Sequence, residues 1–372
     1  MKNKAFFIGA SLCGLALLFF AVFPLTTGEQ LPYRFHEHFY NTLEIARGHI
    51  VSNDFSPVWG GVLTGFDGWF DGRSFFAAVY AVLLLSGAAF LFLLFKLLKK
   101  LDLPLTDGGK FAVAAFALAF YIKTAVSGTD AALAMPAVLL AALALLHALE
   151  KPRVLTGIAG GLAVSAMLLT RFDTAGFAIT FALVFYFQFN GKEPVSYKQF
   201  FALIAGLAIG VLPVAGYWLW EKHTFGAIVP MTVIGWTNAQ GSAPWRMLQL
   251  LFIDPVRNMI HQPTAIVLVS FPVLLIALTA YHSFPWIKRE QTPRDTLFYS
   301  MLWFPVFQIT ALALFSYILV PDYAFYPLGI GAPVALAYAI NRISANIKEN
   351  DFSLAEKIWS AVGLCLTADR KS

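Results

Sequence analysis

Cysteine is nearly absent. Cys13 and Cys365 lie at opposite ends of a 372-residue chain, one in an apolar run and one near the C-terminal tail. That separation argues against a disulfide framework, and redox chemistry adds nothing to the reading. Charge is scarce as well: Asp, Glu, Lys and Arg together make up 13% of the residues, against 59% hydrophobic ones. With a mean hydropathy of +0.70, such a composition excludes an ordinary soluble enzyme. No stretch reads as an independent soluble domain, and neither an internal repeat nor a low-complexity tract stands out.

What is abundant is apolar sequence in membrane-length runs. A bilayer core about 30 Å thick takes roughly 20 apolar residues per helix. On that rule the chain reads as all-α and polytopic, with ten transmembrane helices near 5–26, 74–95, 111–126, 131–149, 154–170, 174–189, 200–220, 264–283, 297–320 and 326–341. Residues 1–343 then form one transmembrane domain and 344–372 a cytoplasmic tail. The first run follows Lys2 and Lys4 and is long, without a clear small-x-small cleavage pattern, so it reads as a retained anchor.

Orientation follows from the loop cations. One set of loops carries Lys96, Lys99, Lys100, Lys110, Lys151, Arg153, Lys192, Lys198, Lys288, Arg289, Arg294 and Arg342. The opposite set holds only Arg34, Arg47, Arg73, Arg171, Lys222, Arg246 and Arg257, although it includes the two longest loops, 27–73 and 221–263. The cation-rich face is therefore expected in the cytoplasm with both termini, in a cytoplasmic (inner) membrane. The net charge of +5 is this sorting signal, so nucleic acid is not expected as a partner.

The other face gathers the unusual polar groups. In the 27–73 loop, the stretch Phe35 to Arg47 has neither Gly nor Pro and reads as a helix, with Phe35, Phe39, Leu43 and Ala46 as its apolar stripe. It is expected to lie along the membrane surface. Trp59, Phe66, Trp69 and Phe70 follow among glycines, as for an aromatic segment at headgroup level. In the 221–263 loop, Met247 to Ile253 is too short to span and reads as interfacial. The centre of each apolar run lacks Asp, Glu, Lys and Arg, which counts against a proton- or ion-coupled carrier.

Three further outer features are short: Ser127-Gly128-Thr129-Asp130, the island Thr170-Arg171-Phe172-Asp173, and Trp220-Glu221-Lys222-His223-Thr224-Phe225-Gly226 followed by Pro230. Together with the surface helix ending Ile45-Ala46-Arg47-Gly48-His49, their order resembles the polytopic, lipid-phosphate-sugar-dependent glycosyltransferases of the GT-C fold. The likeness is to the arabinofuranosyl- and mannosyltransferase-like branch and covers most of residues 5–340. In that family the turns often read Gly-x-Glu/Asp, Thr-Arg-Pro-Asp/Glu and Phe/Tyr-Gly-x-x-x-Pro.

The resemblance implies transfer of a sugar from a polyprenyl-phosphate carrier to a cell-envelope glycan, lipid or protein at the outer membrane face. It also implies an acidic pair opening the first outer helix. Alignment on Gly48-His49 puts Tyr33 and Arg34 there instead, so either a neighbouring acid serves as base or the chain is inactive. The family often carries further spans or an outer domain, whereas here a polar tail follows the tenth run.

The residue chemistry gives each candidate a role. Glu37, one helical turn from the expected acidic position and flanked by His36 and His38, is the first choice of general base, with Glu29 and Asp54 in reserve. Arg171 has the planar fork that binds phosphate bidentately; the plainer reading is a local ion pair with Asp173 that ends two helices. Asp173 orients the arginine or binds a sugar hydroxyl. Asp130 does the latter, or merely caps the helix starting at Ala131. Lys222 and His223 add positive charge near the leaving group, or snorkel. Tyr323 and Tyr326 stack on a sugar or belong to the aromatic belt. His36 and His38, two apart, point to different faces if helical, so no obligatory metal is expected, while carboxylates at a phosphate site are compatible with Mg²⁺ or Mn²⁺. Two other readings stay open: a lipid-linked-saccharide transporter or flippase, and a non-catalytic scaffold.

Overall fold

The computed structural model describes residues 43–44, 47, 56–70, 72–126, 130–189, 197–226, 271–283, 292–315 and 326–350. Within them the chain is all-helical. The elements are α1 (Pro57–Asp67), α2 (Gly72–Lys100), α3 (Asp107–Val126), α4 (Ala131–Glu150), α5 (Val154–Thr170), a single 3₁₀ turn (Phe172–Thr174), α6 (Ala175–Phe189), α7 (Tyr197–Gly210), α8 (Leu212–Phe225), α9 (Phe271–Ser283), α10 (Pro293–Phe315) and α11 (Leu328–Asn350). No strand occurs among the described residues.

Among the described residues, two helices are long and apolar enough to cross a membrane, Ser74–Lys100 and Ala131–Glu150. The α7–α8 pair, bent by 43°, makes a third if taken as one broken span. Hydropathy led to an expectation of ten. Several of the others are apolar but shorter, such as Val154–Thr170 and Phe271–Tyr281.

The element limits explain themselves locally. Ser56 caps α1 by accepting a hydrogen bond from the Trp59 amide at 3.0 Å, and Pro57 occupies the first helical position, where its missing N–H costs nothing. α7 ends at Gly210 and α8 starts with Pro213 in its first turn. A proline there cannot accept the helix running in from α7, so the expected straight span 200–220 is broken instead. α8 ends on Gly226, whose φ of 75° is the left-handed conformation of a C-terminal glycine. α11 runs on to Asn350, past residue 343 where the tail was expected to begin.

α4 is the central element. Ala131, Ala134, Met135, Val138, Leu139, Ala141 and Ala142 are fully buried along it, and α2, α3, α5, α10 and α11 all pack against it. Small side chains let those neighbours approach closely. α5 and α7 pack most intimately, through Gly157 and Gly161 on one helix and Gly206 and Gly210 on the other. Ser165 fastens the end of this seam by donating through Oγ to the Gly210 carbonyl at 2.9 Å.

Chain direction sorts the charges. The C-terminal ends of α2 and α4 lie together, joined by Lys100 and Glu150 at 3.0 Å, and the start of α3 reaches Ile340 on the C-terminal half of α11. Lys99, Lys110, Lys151, Arg153 and Arg342 belong to that end of the bundle. At the other end stand the start of α4, the α5–α6 turn and the start of α11, where cations are few. Trp59, expected at headgroup level, is 1% exposed and packs in the core, whereas Trp69 is 86% exposed.

Candidate functional site

The site begins with a break in the backbone. Arg171 is extended, at φ −156° and ψ 131°, so it ends α5 and hands over to the 3₁₀ turn. Hydroxyls hold this break. Thr170 Oγ1 donates to the Ala166 carbonyl at 2.8 Å. Thr174 Oγ1 reaches the carbonyls of Arg171 at 2.6 Å and Met167 at 3.1 Å. The threonines thus satisfy carbonyls that the interrupted helix leaves over.

The turn aims the guanidinium at its own neighbour. Nε and Nη2 of Arg171 donate to the two carboxylate oxygens of Asp173 at 2.9 and 2.8 Å, a bidentate fork. Nη1 donates to Asp130 at 2.5 Å, forty-one residues earlier at the start of α4. Asp173 is held from the far side too: Tyr326 Oη donates to it at 3.2 Å from the start of α11, and Gln308 Nε2 at 3.4 Å from α10. The Tyr326 ring lies under the guanidinium, 5.4 Å from Cζ. Gly176 leaves room for Gln308, because a Cβ there would meet its Oε1 at 3.0 Å. Arg171 and Asp173 together therefore tie α4, the α5–α6 turn, α10 and the start of α11 into one cluster.

Electrostatically the cluster carries one positive and two negative groups. Side-chain exposures are 14% for Arg171, 20% for Asp130 and 25% for Asp173, so the cluster is sheltered. Burial alone would lower the Arg171 pKa. Asp130 and Asp173 overcome this and raise it well above the ordinary value, so the guanidinium stays charged at any physiological pH.

The sequence expectations fare unevenly here. Arg171, Asp173 and Asp130 converge in one cluster. Both readings weighed for the Arg171–Asp173 pair describe part of it, since the ion pair exists and extends across the bundle. The capping reading of Asp130 needs correction: it occupies the N-cap position of α4, yet its side chain makes no cap hydrogen bond and turns to Arg171. Tyr326 is likewise no belt residue, being 1% exposed inside the core. Lys222 and His223 are exposed in the last turn of α8 and do not join the Arg171 network. Glu37, Glu29, Asp54 and Tyr323, with His36 and His38, lie outside the described residues.

One site residue, Gln308, and one buried acid beside the site, Glu221, escaped sequence reading. Gln308 lies inside an apolar helix, and only its polarity amid Phe304, Val306 and Phe307 marked it. Glu221 is 5% exposed despite its place between Trp220 and Lys222. α8 reaches the Arg171 turn through Trp218, whose ring packs on Phe172 with centroids 5.6 Å apart. Tyr217, one turn before Glu221, is near enough to feel its charge, though its buried hydroxyl finds no hydrogen bond of good geometry among the described residues.

A second arginine clamp stands within the 27–73 segment. Arg47 donates through Nε to Asp67 at 2.9 Å and through Nη2 to the same carboxylate, while Nη1 reaches Glu44 at 2.7 Å. Leu43, expected on the apolar stripe of the surface helix, is 2% exposed. For metal, Asp130 and Asp173 are the carboxylates at hand in the Arg171 cluster. Among the described residues no group of three or more His, Cys, Asp or Glu gathers.

Comparison with protein-family models, with curated proteins and with solved structures gives no match to this chain.

Proposed function

We propose that this chain is a multi-pass membrane glycosyltransferase that moves a sugar from a polyprenyl-phosphate carrier to an envelope glycan, lipid or protein. The observation that carries this reading is the Arg171 cluster. Four separate parts of the bundle contribute to it, at the end where loop cations are few. A purely structural turn needs only the local Arg171–Asp173 pair, and nothing about helix termination calls for Asp130, Gln308 and Tyr326 as well.

In this reading the cation-poor end faces outward by the positive-inside rule. Arg171 supports charge on the phosphate as the bond from the anomeric carbon breaks, Asp130 and Asp173 meet sugar hydroxyls, and Glu37, Glu29 or Asp54 takes the acceptor proton. Ten spans and a surface helix complete the fold. A flippase is disfavoured by the helix interiors, where Thr180 and Ser300 turn their hydroxyls back onto carbonyls of their own helices at 2.6 Å. The scaffold reading draws support from Tyr33 and Arg34 standing where the resembled family has acids.

The test is glycan transfer in membranes of a strain lacking the native protein, complemented with Glu37→Gln, Glu29→Gln, Asp54→Asn and Arg171→Ala. Loss of transfer with Arg171→Ala and at least one carboxylate variant is the expected result. Full transfer by all four variants would remove the proposed site.

A further inference from the structure

We propose that Glu221, with Tyr217, forms an ammonium-binding site on α8 that takes the headgroup of an aminophospholipid. The site goes beyond sugar transfer and does not depend on it. It requires the α7–α8 pair to lie in the bilayer, as the broken span that its length and hydropathy allow. Among the described residues Glu221 is the only charged one that is buried, at 5% exposure. Asp130 and Asp173 have Arg171, whereas Glu221 makes no ion pair with a described residue. A buried carboxylate without a cation is costly to keep. One helical turn earlier, the buried Tyr217 hydroxyl finds no hydrogen bond of good geometry. Two such oxygens on one face of one helix, one of them anionic, call for a cationic hydrogen-bond donor.

The surroundings choose among cations. Val214 and Glu221 are the buried residues of α8, and Tyr217, Trp218 and Phe225 share their face by helical spacing. Trp220 packs on Tyr217 with centroids 5.6 Å apart and on Phe225 at 5.9 Å. One carboxylate offers too few oxygens for a divalent metal. An ammonium fits better: its N–H groups can donate to the carboxylate and to Tyr217 Oη, and aromatic faces favour its charge. Depth chooses the carrier. At this residue α8 changes from exposed Leu219 and Trp220 to exposed Lys222, His223 and Thr224. A bilayer places its headgroups at such a boundary, and Lys222 supplies the opposite charge for the phosphate of the same zwitterion. Most of α8 is exposed or half-buried, which puts Glu221 at the edge of the bundle. Entry therefore takes a swing of the Trp220 or Phe225 ring rather than a movement of the backbone.

The experiment places the full chain in nanodiscs of phosphatidylcholine, alone or mixed equally with phosphatidylethanolamine of the same acyl chains. The two lipids differ in whether the nitrogen carries N–H donors. Native mass spectrometry counts the lipids retained from the mixed discs, and thermal unfolding is followed in both kinds. Wild type is expected to retain phosphatidylethanolamine about tenfold over phosphatidylcholine, the scale of one charge-assisted hydrogen bond, and to melt higher in the mixed discs. Glu221→Gln is expected to lose both the preference and the rise, while melting no lower than wild type in phosphatidylcholine alone. Tyr217→Phe keeps the ring, should lose part of the preference, and stands in if the glutamine variant folds poorly. Equal retention of the two lipids by wild type, or a preference that the variants leave unchanged, overturns the site. Ethanolamine added to phosphatidylcholine discs that raises the wild-type melt as far as the lipid does overturns the lipid assignment.

Discussion

Gly161 and Gly210 meet backbone to backbone: a Cβ on Gly161 would come within 2.5 Å of the Leu207 carbonyl and 2.8 Å of the Gly210 Cα. Backbone atoms cannot swing aside as a side-chain end can. Gly161→Ala is therefore expected to force α5 and α7 apart, at a cost of about 1–3 kcal/mol typical of overpacking. Gly216, with nothing within 4 Å of its Cβ position, is the matched control, and Gly216→Ala should leave stability within about 0.5 kcal/mol of wild type. Thermal unfolding in one detergent compares the two. Equal losses would mean that the α5–α7 seam is looser than this contact requires.

That seam also shows where sequence reading stops. The pattern Gly157-x-x-x-Gly161 is visible in the chain, but its partner Gly206-x-x-x-Gly210 becomes meaningful only once two helices are side by side. Single-helix properties were readable: α4 and α5 begin and end within a residue of the expected 131–149 and 154–170, because loop polarity and apolar length decide them. The Arg171 island was readable for the same reason, as charge amid apolar sequence is costly and conspicuous. Its pairing was not. Asp130 read equally as a sugar-binding acid or a helix cap, Tyr326 like a belt tyrosine, and Gln308 carries no charge to flag it. Long-range pairing across four helices leaves no local trace.

Arg171 stabilises the bundle by neutralising two sheltered carboxylates. Arg171→Ala should leave Asp130 and Asp173 near each other without the guanidinium that neutralises them, and removing one partner from a buried pair costs on the order of 3–5 kcal/mol. The triple variant Arg171→Met, Asp130→Asn, Asp173→Asn removes all charge together and should recover a large part of that loss. Melting temperatures of the single and triple variants decide this. A triple variant no more stable than Arg171→Ala would show that packing, rather than stranded charge, sets the cost.

Ser56 links α1 to the site. Its Oγ accepts from the Trp59 amide at 3.0 Å and donates to the Leu169 carbonyl at 3.3 Å, two residues before Arg171. Ser56→Ala removes an N-cap and is expected to cost about 1 kcal/mol. Hydrogen exchange gives the sharper readout: amides at the start of α1 should lose protection while α4 amides keep theirs. Uniform loss across both helices would indicate that α1 does not open as a separate unit.

Glu221 sets a test of a different sign. It is 5% exposed and makes no ion pair with a described residue, so the folded state carries the desolvation cost of a carboxylate with little electrostatic return. Glu221→Gln keeps the shape, removes the charge and still offers an acceptor toward Tyr217. Most substitutions destabilise, yet this one should leave the melting temperature unchanged or raise it, by up to about 1 kcal/mol in unfolding free energy. Glu221→Ala, which empties the volume, should instead lower it. A clear drop with glutamine would mean that the carboxylate is matched by a cation from the 227–270 segment, and charge-reversal of Arg246 or Arg257 in the Glu221→Gln background would then identify which one.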